Sequence, residues 1–364
     1  MTLRVLQVGV GARGRLWRQV LQRIDSCKIV GFVDIDPSAL EQMKAAFPDD
    51  ELVMETDLRP AIERTKPDVL VLVTPPETHR EQVRIGLEFG IALMVEKPLS
   101  TDLGEAWALT KMAKEAGVPM SICLNFRYLE VTQGIKRLIE EEVKGTPNFG
   151  QFTYLRNRDG KMPGLNRYPL YMKHPMLLEQ SIHHFDLIRY VYGREVQSVQ
   201  AETWNPPWSM YAGDSNVAAL LTLEDDLRVQ YLGTWTSGWN DMGFEWRTDC
   251  SRGVIIQKQL FSDLYYADMQ SDDPNPVIEK GGGGGGGPLE RVSFVSEDEP
   301  FFDDTEALMR QFAHALADEG VPYPSTAQDH LRSLAVVFAA IRSAEEGRRI
   351  TLDAIYRDYG ISIS

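Results

Sequence analysis

Cysteine is scarce: Cys27, Cys123 and Cys250 are the only three in 364 residues, far apart and without a CxxC pair. That excludes a disulfide framework and a zinc knuckle, and it fits a reducing cytoplasm. Positive charge is short as well. With 38 Lys and Arg against 53 Asp and Glu, the formal charge is −15, and the pI is about 4.9. Such a chain repels phosphate backbones and anionic lipid, so neither a nucleic acid nor a membrane surface is expected as a partner. No run approaches the roughly 18 apolar residues needed to cross a bilayer. The opening MTLRVLQVGVGARG reads as strand and turn rather than a cleavable apolar segment. The expectation is a soluble cytoplasmic protein.

What is present suffices for ordinary cores: 43% hydrophobic and 9% aromatic residues, over a length that suggests two domains. Strand-like runs recur at 3–9, 27–34, 68–74, 92–98 and 119–125, separated by helical patterns around 16–24, 58–64, 80–89 and 103–116. Short apolar strands alternating with amphipathic helices indicate βαβ units and a doubly wound parallel sheet covered on both faces. Past Tyr128 the pattern shifts to longer strands such as FGQFTYLRNR, VQSVQAETW and NVAALLTLEDDLRVQYLGTW. Helices are expected at 131–143, 177–192, 305–318 and 327–346. Long successive strands with few helices suggest an α+β domain with an open, mostly antiparallel sheet and helices on one face. The boundary falls near 125–130, dividing the chain into 1–127 and 128–364, with the closing helix able to pack back on the first part. The run Gly281–Gly287 reads as a flexible surface loop.

GVGARG, Gly9 to Gly14, fits G-x-G-x-x-G between the first strand and first helix. Gly9 permits the tight turn, Gly11 lets backbone approach a pyrophosphate, and Gly14 lets helix and strand pack closely. The helix N-terminus, from Ala12 and Arg13, then offers free N–H groups to the anion. Asp34 ends the second strand, about 20 residues on, where a carboxylate accepts ribose hydroxyls and repels a 2′-phosphate. NAD is therefore favoured over NADP. In open parallel sheets ligands gather at the carboxyl ends of strands. VTPPETH (73–79) and VEKPL (95–99) lie at such ends, so Thr74, Pro75, His79, Glu96, Lys97 and the strand-end Asn125 join the expected cofactor set. Lys97 sits where an ammonium can reach a substrate oxygen, although a lone lysine before a proline is commonly a surface residue.

GVGARG, Asp34, TPPETH, EKP, NFRY (125–128) and EQSIHHFD (179–186) together resemble the glucose–fructose oxidoreductase / inositol dehydrogenase / MocA family. The resemblance reaches the closing HLRSLAVVFAAIRSAEEGRRITL (330–352). It implies an N-terminal Rossmann domain and a C-terminal domain with a large open sheet. It also implies NAD(P)-dependent oxidation or reduction of a sugar or cyclitol, and assembly as a homodimer or homotetramer through that sheet.

On a regular helix at about 100° per residue, Leu178, Ile182, Phe185, Ile188 and Tyr192 share one face. Glu179, His183, Asp186 and Tyr190 fall opposite, while His184 points roughly 100° away from His183. Register alone leaves open a solvated polar face, a metal site, or the wall of a cleft. A zinc site needs a third ligand, which the register does not supply, and no metal is expected. The resemblance favours the cleft: family members carry D-x-x-x-H at this helix, here with Glu179 in place of Asp. HPML (174–177) stands where many members have glycines, so substrate identity stays open. The expected catalytic set is then His183 as general acid/base, Lys97 stabilising charge on the same oxygen or relaying the proton, and Glu179 orienting the imidazole or binding a neighbouring hydroxyl. Arg127, Tyr128, Lys173 and His174 are candidate substrate contacts, each equally able to be a surface or packing residue. Beside the dehydrogenase reading stand a glycosidase acting by transient oxidation with bound NAD, and a non-catalytic NAD-sensing regulator.

Overall fold

The computed structural model describes residues 2–47, 51–162, 165–269, 286–293, 299–318 and 320–362. Of the glycine run, residues 281–285 lie outside the described residues.

The first half alternates strand and helix: β1 (Leu3–Val8), α1 (Ala12–Gln22), β2 (Cys27–Val33), α2 (Pro37–Ala46), β3 (Val53–Glu55), α3 (Leu58–Thr65), β4 (Val69–Leu72), α4 (Pro76–Glu88), β5 (Ala92–Glu96), α5 (Leu103–Ala116) and β6 (Met120–Cys123). The six strands are parallel, in the order β3-β2-β1-β4-β5-β6. Five of them coincide with the strand-like runs. The sixth, β3, is a three-residue edge strand whose side chains are all half-buried, too short for any periodicity to register. Asp36, adjacent to the candidate Asp34, caps α2 by accepting the Ser38 N–H at 2.9 Å. That is the simple turn role its position allowed.

The second half begins with α6 (Glu130–Glu140) and β7 (Pro147–Leu155) and reaches α7 (Ile182–Tyr192) through a π-helical turn, Met176–Ser181. Six strands follow: β8 (Val196–Trp204), β9 (Asn216–Leu223), β10 (Arg228–Thr234), β11 (Gly243–Cys250), β12 (Gly253–Gln259) and β13 (Ser262–Asp268). The chain continues with β14 (Glu290–Arg291), α8 (Asp303–Ala317), α9 (Ala327–Glu346), β15 (Ile350–Thr351) and α10 (Leu352–Asp358). Nine strands form one sheet, β14-β13-β12-β11-β7-β10-β9-β8-β15. Every neighbouring pair is antiparallel except β7 and β10. Burial alternates along β7, β9, β10 and β11, as a sheet covered by helices on one face requires.

Two closing helices tie the sheets together. Leu308, Met309, Phe312 and Ala313 of α8 share a core cluster with Val5, Trp17, Leu21 and Val69 of the first half. Helix α9 packs against α5, α7, β6 and β8. Helix α7 is therefore enclosed. From Ile182 to Tyr192 only Tyr190 is not buried. The solvated-face reading of EQSIHHFD has no solvent to face.

Candidate functional site

A cavity of about 1360 Å³ runs between the carboxyl ends of the parallel strands and the helix-covered side of the large sheet. Gly9, Gly11, Ala12, Arg13, Asp34, Thr74, Pro75, Glu96, Lys97 and Asn125 line it, as do Glu179 and His183. These are expected site residues drawn from six separate segments.

At the dinucleotide-type turn, Gly9 has φ +94°, and a Cβ there would lie 2.4 Å from the Val73 carbonyl oxygen. A Cβ on Gly14 would lie 2.3 Å from the Gly9 oxygen. Both positions require glycine. Around Gly11, by contrast, nothing lies within 4 Å of where a Cβ would be, and no side chain caps α1. The first turn of α1 thus presents backbone N–H groups to the cavity, a fit for a pyrophosphate. Gln7, which the sequence pattern does not single out, buttresses the turn by donating to the carbonyls of Gly9 (2.9 Å) and Gly14 (2.8 Å). The Asp34 carboxylate accepts the N–H groups of Val10 (2.8 Å) and Asp36 (3.0 Å), which aims it at the cavity with lone pairs to spare for hydroxyl donors. Two expected members stand behind this wall. Gly14 supports the turn from within, and buried His79 places its ring nitrogens 3.0 and 3.2 Å from the carbonyls of Thr74 and Leu99. Burial keeps the His79 pKa below its ordinary value although both carbonyls favour the charged form.

Glu96 anchors the next segment. Its Oε1 accepts from Arg13 Nε at 2.6 Å and from the Trp17 indole at 2.7 Å. Burial alone would raise its pKa, but the charge and hydrogen bonds of Arg13, with the indole, outweigh that and hold it ionised. Lys97 follows directly, and its Nζ donates to the Glu179 carbonyl at 2.8 Å and to Glu179 Oε2 at 3.0 Å. Both side chains are nearly enclosed, at 13% and 10% exposure. Among the described residues, no hydrogen bond reaches buried Glu179 Oε1. Tyr168, another lining residue that periodicity did not expose, has its phenol pKa pushed well up by burial and then by the Glu179 charge.

Two expectations for the helix change. Glu179 meets Lys97 rather than orienting the imidazole, and His183 Nδ1 has no hydrogen-bond partner among the described residues. The His183 ring instead stacks on Phe126, centroids 4.4 Å apart and planes 25° off parallel. Burial, followed by the nearby Lys97 charge, holds the His183 pKa well below its ordinary value, so the imidazole is neutral. Asp186, assigned by a regular helix to the same face, is drawn away into a buried network. It accepts from Arg127 Nε at 2.6 Å and from Ser333 at 2.6 Å. His184 is fully buried among Phe152, Tyr154 and Tyr231, with Nδ1 2.8 Å from the Tyr231 hydroxyl.

The candidate substrate contacts Arg127, Tyr128, Lys173 and His174 do not line the cavity. Arg127 is enclosed by Asp186, Asp329 and the Pro324 carbonyl, because a buried guanidinium needs all its donors met. Tyr128 bonds Ser325 at 3.0 Å. Lys173 pairs at the surface with Glu345 at 2.5 Å, and His174 lies 3.5 Å from Asp214. In their place the large sheet contributes Tyr154, Arg156 and Arg158. No spacing in TYLRNR marked them, since Asn157 between the two arginines lines the cavity as well.

Comparison with known proteins agrees with this architecture. Residues 3–123 match the family described as "Oxidoreductase family, NAD-binding Rossmann fold", and residues 132–256 match "GFO/IDH/MocA C-terminal domain". The chain is 24% identical over 362 residues to D-apiose dehydrogenase of Paraburkholderia graminis, covering 96% of this chain and 89% of that one. It is 29% identical over 227 residues to inositol 2-dehydrogenase of Mycolicibacterium gilvum, covering 61% and 62%. Its fold matches, at TM-score 0.85 and 19% identity, an oxidoreductase from Agrobacterium radiobacter solved with NAD+, L-tartaric acid and magnesium, over 98% of this chain and all of the other. With both halves matched in sequence, the chain belongs to the Gfo/Idh/MocA family of NAD-binding oxidoreductases.

Proposed function

We propose that this protein is an NAD-dependent dehydrogenase or reductase acting on a CH–OH carbon of a sugar, cyclitol or related polyol. One observation carries the reading. A single cavity is lined by the glycine turn with Asp34 and also by Lys97, Glu179 and His183. Relatives named D-apiose dehydrogenase and inositol 2-dehydrogenase support the substrate class. The glycosidase and regulator alternatives gain no support from the relatives reported above.

The turn of residues 9–14 and the Asp34 carboxylate would hold NAD, which when bound would supply the hydride acceptor. The remaining work falls to side chains of the chain. Neutral His183 accepts the hydroxyl proton of the substrate as the carbinol is oxidised. The Lys97 ammonium, held by Glu179, donates to the same oxygen and stabilises the negative charge that develops there. Because burial and Lys97 both disfavour an imidazolium, His183 releases the proton again readily. Phe126 fixes the imidazole plane by stacking. The half of the large sheet turned away from the helices exposes Phe149, Leu155, Leu220 and Leu232 in part, which supports a homodimer or homotetramer through that face. Light scattering on purified protein reads this directly, and a monomer contradicts it.

The function is tested by following NADH formation with purified protein over a panel of sugars, sugar acids, cyclitols and glycosides. Net NADH with at least one polyol is expected. Glycoside cleavage without net NADH, or NADH binding with no turnover on any compound, overturns the reading.

A further inference from the structure

Cations around the cavity are matched, with two exceptions. Arg13 is paired with Glu96 and Lys97 with Glu179. Arg156 and Arg158 also line the cavity, and among the described residues neither forms an ion pair with a carboxylate.

The two arginines continue β7 beyond Leu155. Arg156 N–H donates to the Thr234 carbonyl at 3.0 Å and Arg158 N–H to the Trp235 carbonyl at 3.0 Å, while Asn157 between them forms an isolated antiparallel bridge with Thr236, so the segment leaves the regular ladder but stays tied to the chain beyond β10. Tyr154, Arg156 and Arg158 line the same cavity as Glu179 and His183, and the Tyr154 hydroxyl donates to Gln180 Oε1 of that helical segment at 3.3 Å. Arg158 is held in place by an Nη1 bond to the Tyr211 hydroxyl at 3.0 Å and by lying 4.5 Å over the Trp235 ring. A neutral sugar in this space leaves two guanidiniums without a counter-charge. A carboxylate or phosphate matches their planar forks and turns that desolvation into charge-assisted hydrogen bonds. Local positive charge also recruits an anion to a molecule whose overall charge repels one.

We propose that the substrate is an anionic polyol, a sugar or cyclitol bearing a carboxylate or phosphate, with its charged group held by Arg156 and Arg158. This rests on the reading of the cavity as a polyol-oxidising site, with the charged group on the large-sheet wall and the reacting carbinol at Lys97 and His183.

The experiment compares matched sets: a neutral hexose, its uronate and its terminal phosphate ester, and likewise a cyclitol and its phosphate. NADH formation gives kcat and KM, and calorimetry gives binding to the protein–NADH complex independently of turnover. One anionic member of a set is expected to exceed its neutral partner in kcat/KM by about tenfold or more, the usual scale of a charged hydrogen bond. Which member wins separates carboxylate from phosphate. Arg156→Gln and Arg158→Gln should each raise KM for that anion about ten- to a hundredfold, with a smaller change in kcat. Melting temperature checks the Arg158 variant, and Arg156, which among the described residues stacks on no ring, provides the second. Neutral compounds that bind and turn over as well as both anions overturn the proposal, as do variants whose KM and Kd for the preferred anion stay within about twofold. If no compound reduces NAD+, anion binding that the variants lose upholds the anion site while the polyol-oxidation reading falls. Absence of anion binding to the parent complex overturns the anion site itself.

Discussion

At the scale of single residues, Lys97 has the most to lose. Its ammonium is committed to Glu179 through both a carbonyl and a carboxylate oxygen, which leaves its third proton for a substrate oxygen. Lys97→Ala should cut turnover by about a hundredfold or more while NADH affinity is retained. An unchanged kcat contradicts the role. His183 makes a pH prediction with a definite sign. Its folded pKa lies well below the ordinary value, so the imidazole stays neutral through the usual histidine range near pH 6.5. The kcat/KM for oxidation should therefore show no acid limb near pH 6.5 and fall only at clearly lower pH. A limb at 6.5 that disappears in His183→Gln shows instead that the imidazole titrates normally. Asp34→Ala removes a charged acceptor and should raise Kd for NAD about tenfold or more. Equal affinity of the parent protein for NAD and NADP contradicts the ribose-binding role.

At the scale of an element, Met176–Tyr192 shows how adjacent residues part company. The π-helical turn inserts a residue before the regular helix, and the enclosed helix packs on its whole circumference. Glu179 and His183 reach the cavity, Asp186 serves a buried ion network, and His184 fills the core beneath the large sheet. His184→Ala should lower stability by about 2–4 kcal/mol, through lost packing and the loss of one of the two hydrogen bonds of the Tyr231 hydroxyl, which keeps Ser181, and spare kcat in the folded fraction. A stable but inactive variant would exchange the roles of the two histidines. Arg127 answers to Asp186 and Asp329 and holds α7 against α9. Arg127→Met strips buried Asp186 of its bidentate partner, leaving it Ser333 and the Arg189 guanidinium at 3.8 Å, and should cost about 3 kcal/mol, read from the denaturation midpoint.

At the scale of the molecule, buried neutral histidines set the acid sensitivity. His184 and His330 are fully enclosed, with pKa pushed down to about 3 by burial, and His183 is held low as well. Unfolded, each titrates near 6.5. Below that pH the unfolded chain binds more protons than the native one, so stability is lost as pH falls, by up to about 1.4 kcal/mol per unit for each group. Carboxylates held low by arginines, such as Asp329 at about 2, add their loss only below the ordinary carboxylate range. The melting temperature should thus fall from pH 7 to pH 5, before carboxylates protonate, and His184→Phe should make that fall shallower. A flat profile over this interval contradicts the burial of these imidazoles as neutral groups.

Local chemistry made part of this legible without coordinates. The glycine turn, Asp34, the strand-end Lys97 and the alternation of strand and helix are short-range patterns, set by backbone sterics and by the two periods of 2 and 3.6 residues. They carried the parallel sheet, the turn and the part of the cavity lining next to that turn. Contacts between distant segments followed no such pattern. Lys97 meets Glu179 across 82 residues, and Arg127 meets Asp329 across 202. Helix α8 returns to complete the core of the first sheet. Whether a polar side chain on a helix faces solvent, a partner charge or a ligand depends on what packs against it. That is why amino-acid pattern determined the cofactor end of this protein, while tertiary packing alone removed Arg127 and Asp186 from the cavity wall and put Tyr154, Arg156, Arg158 and Tyr168 on it.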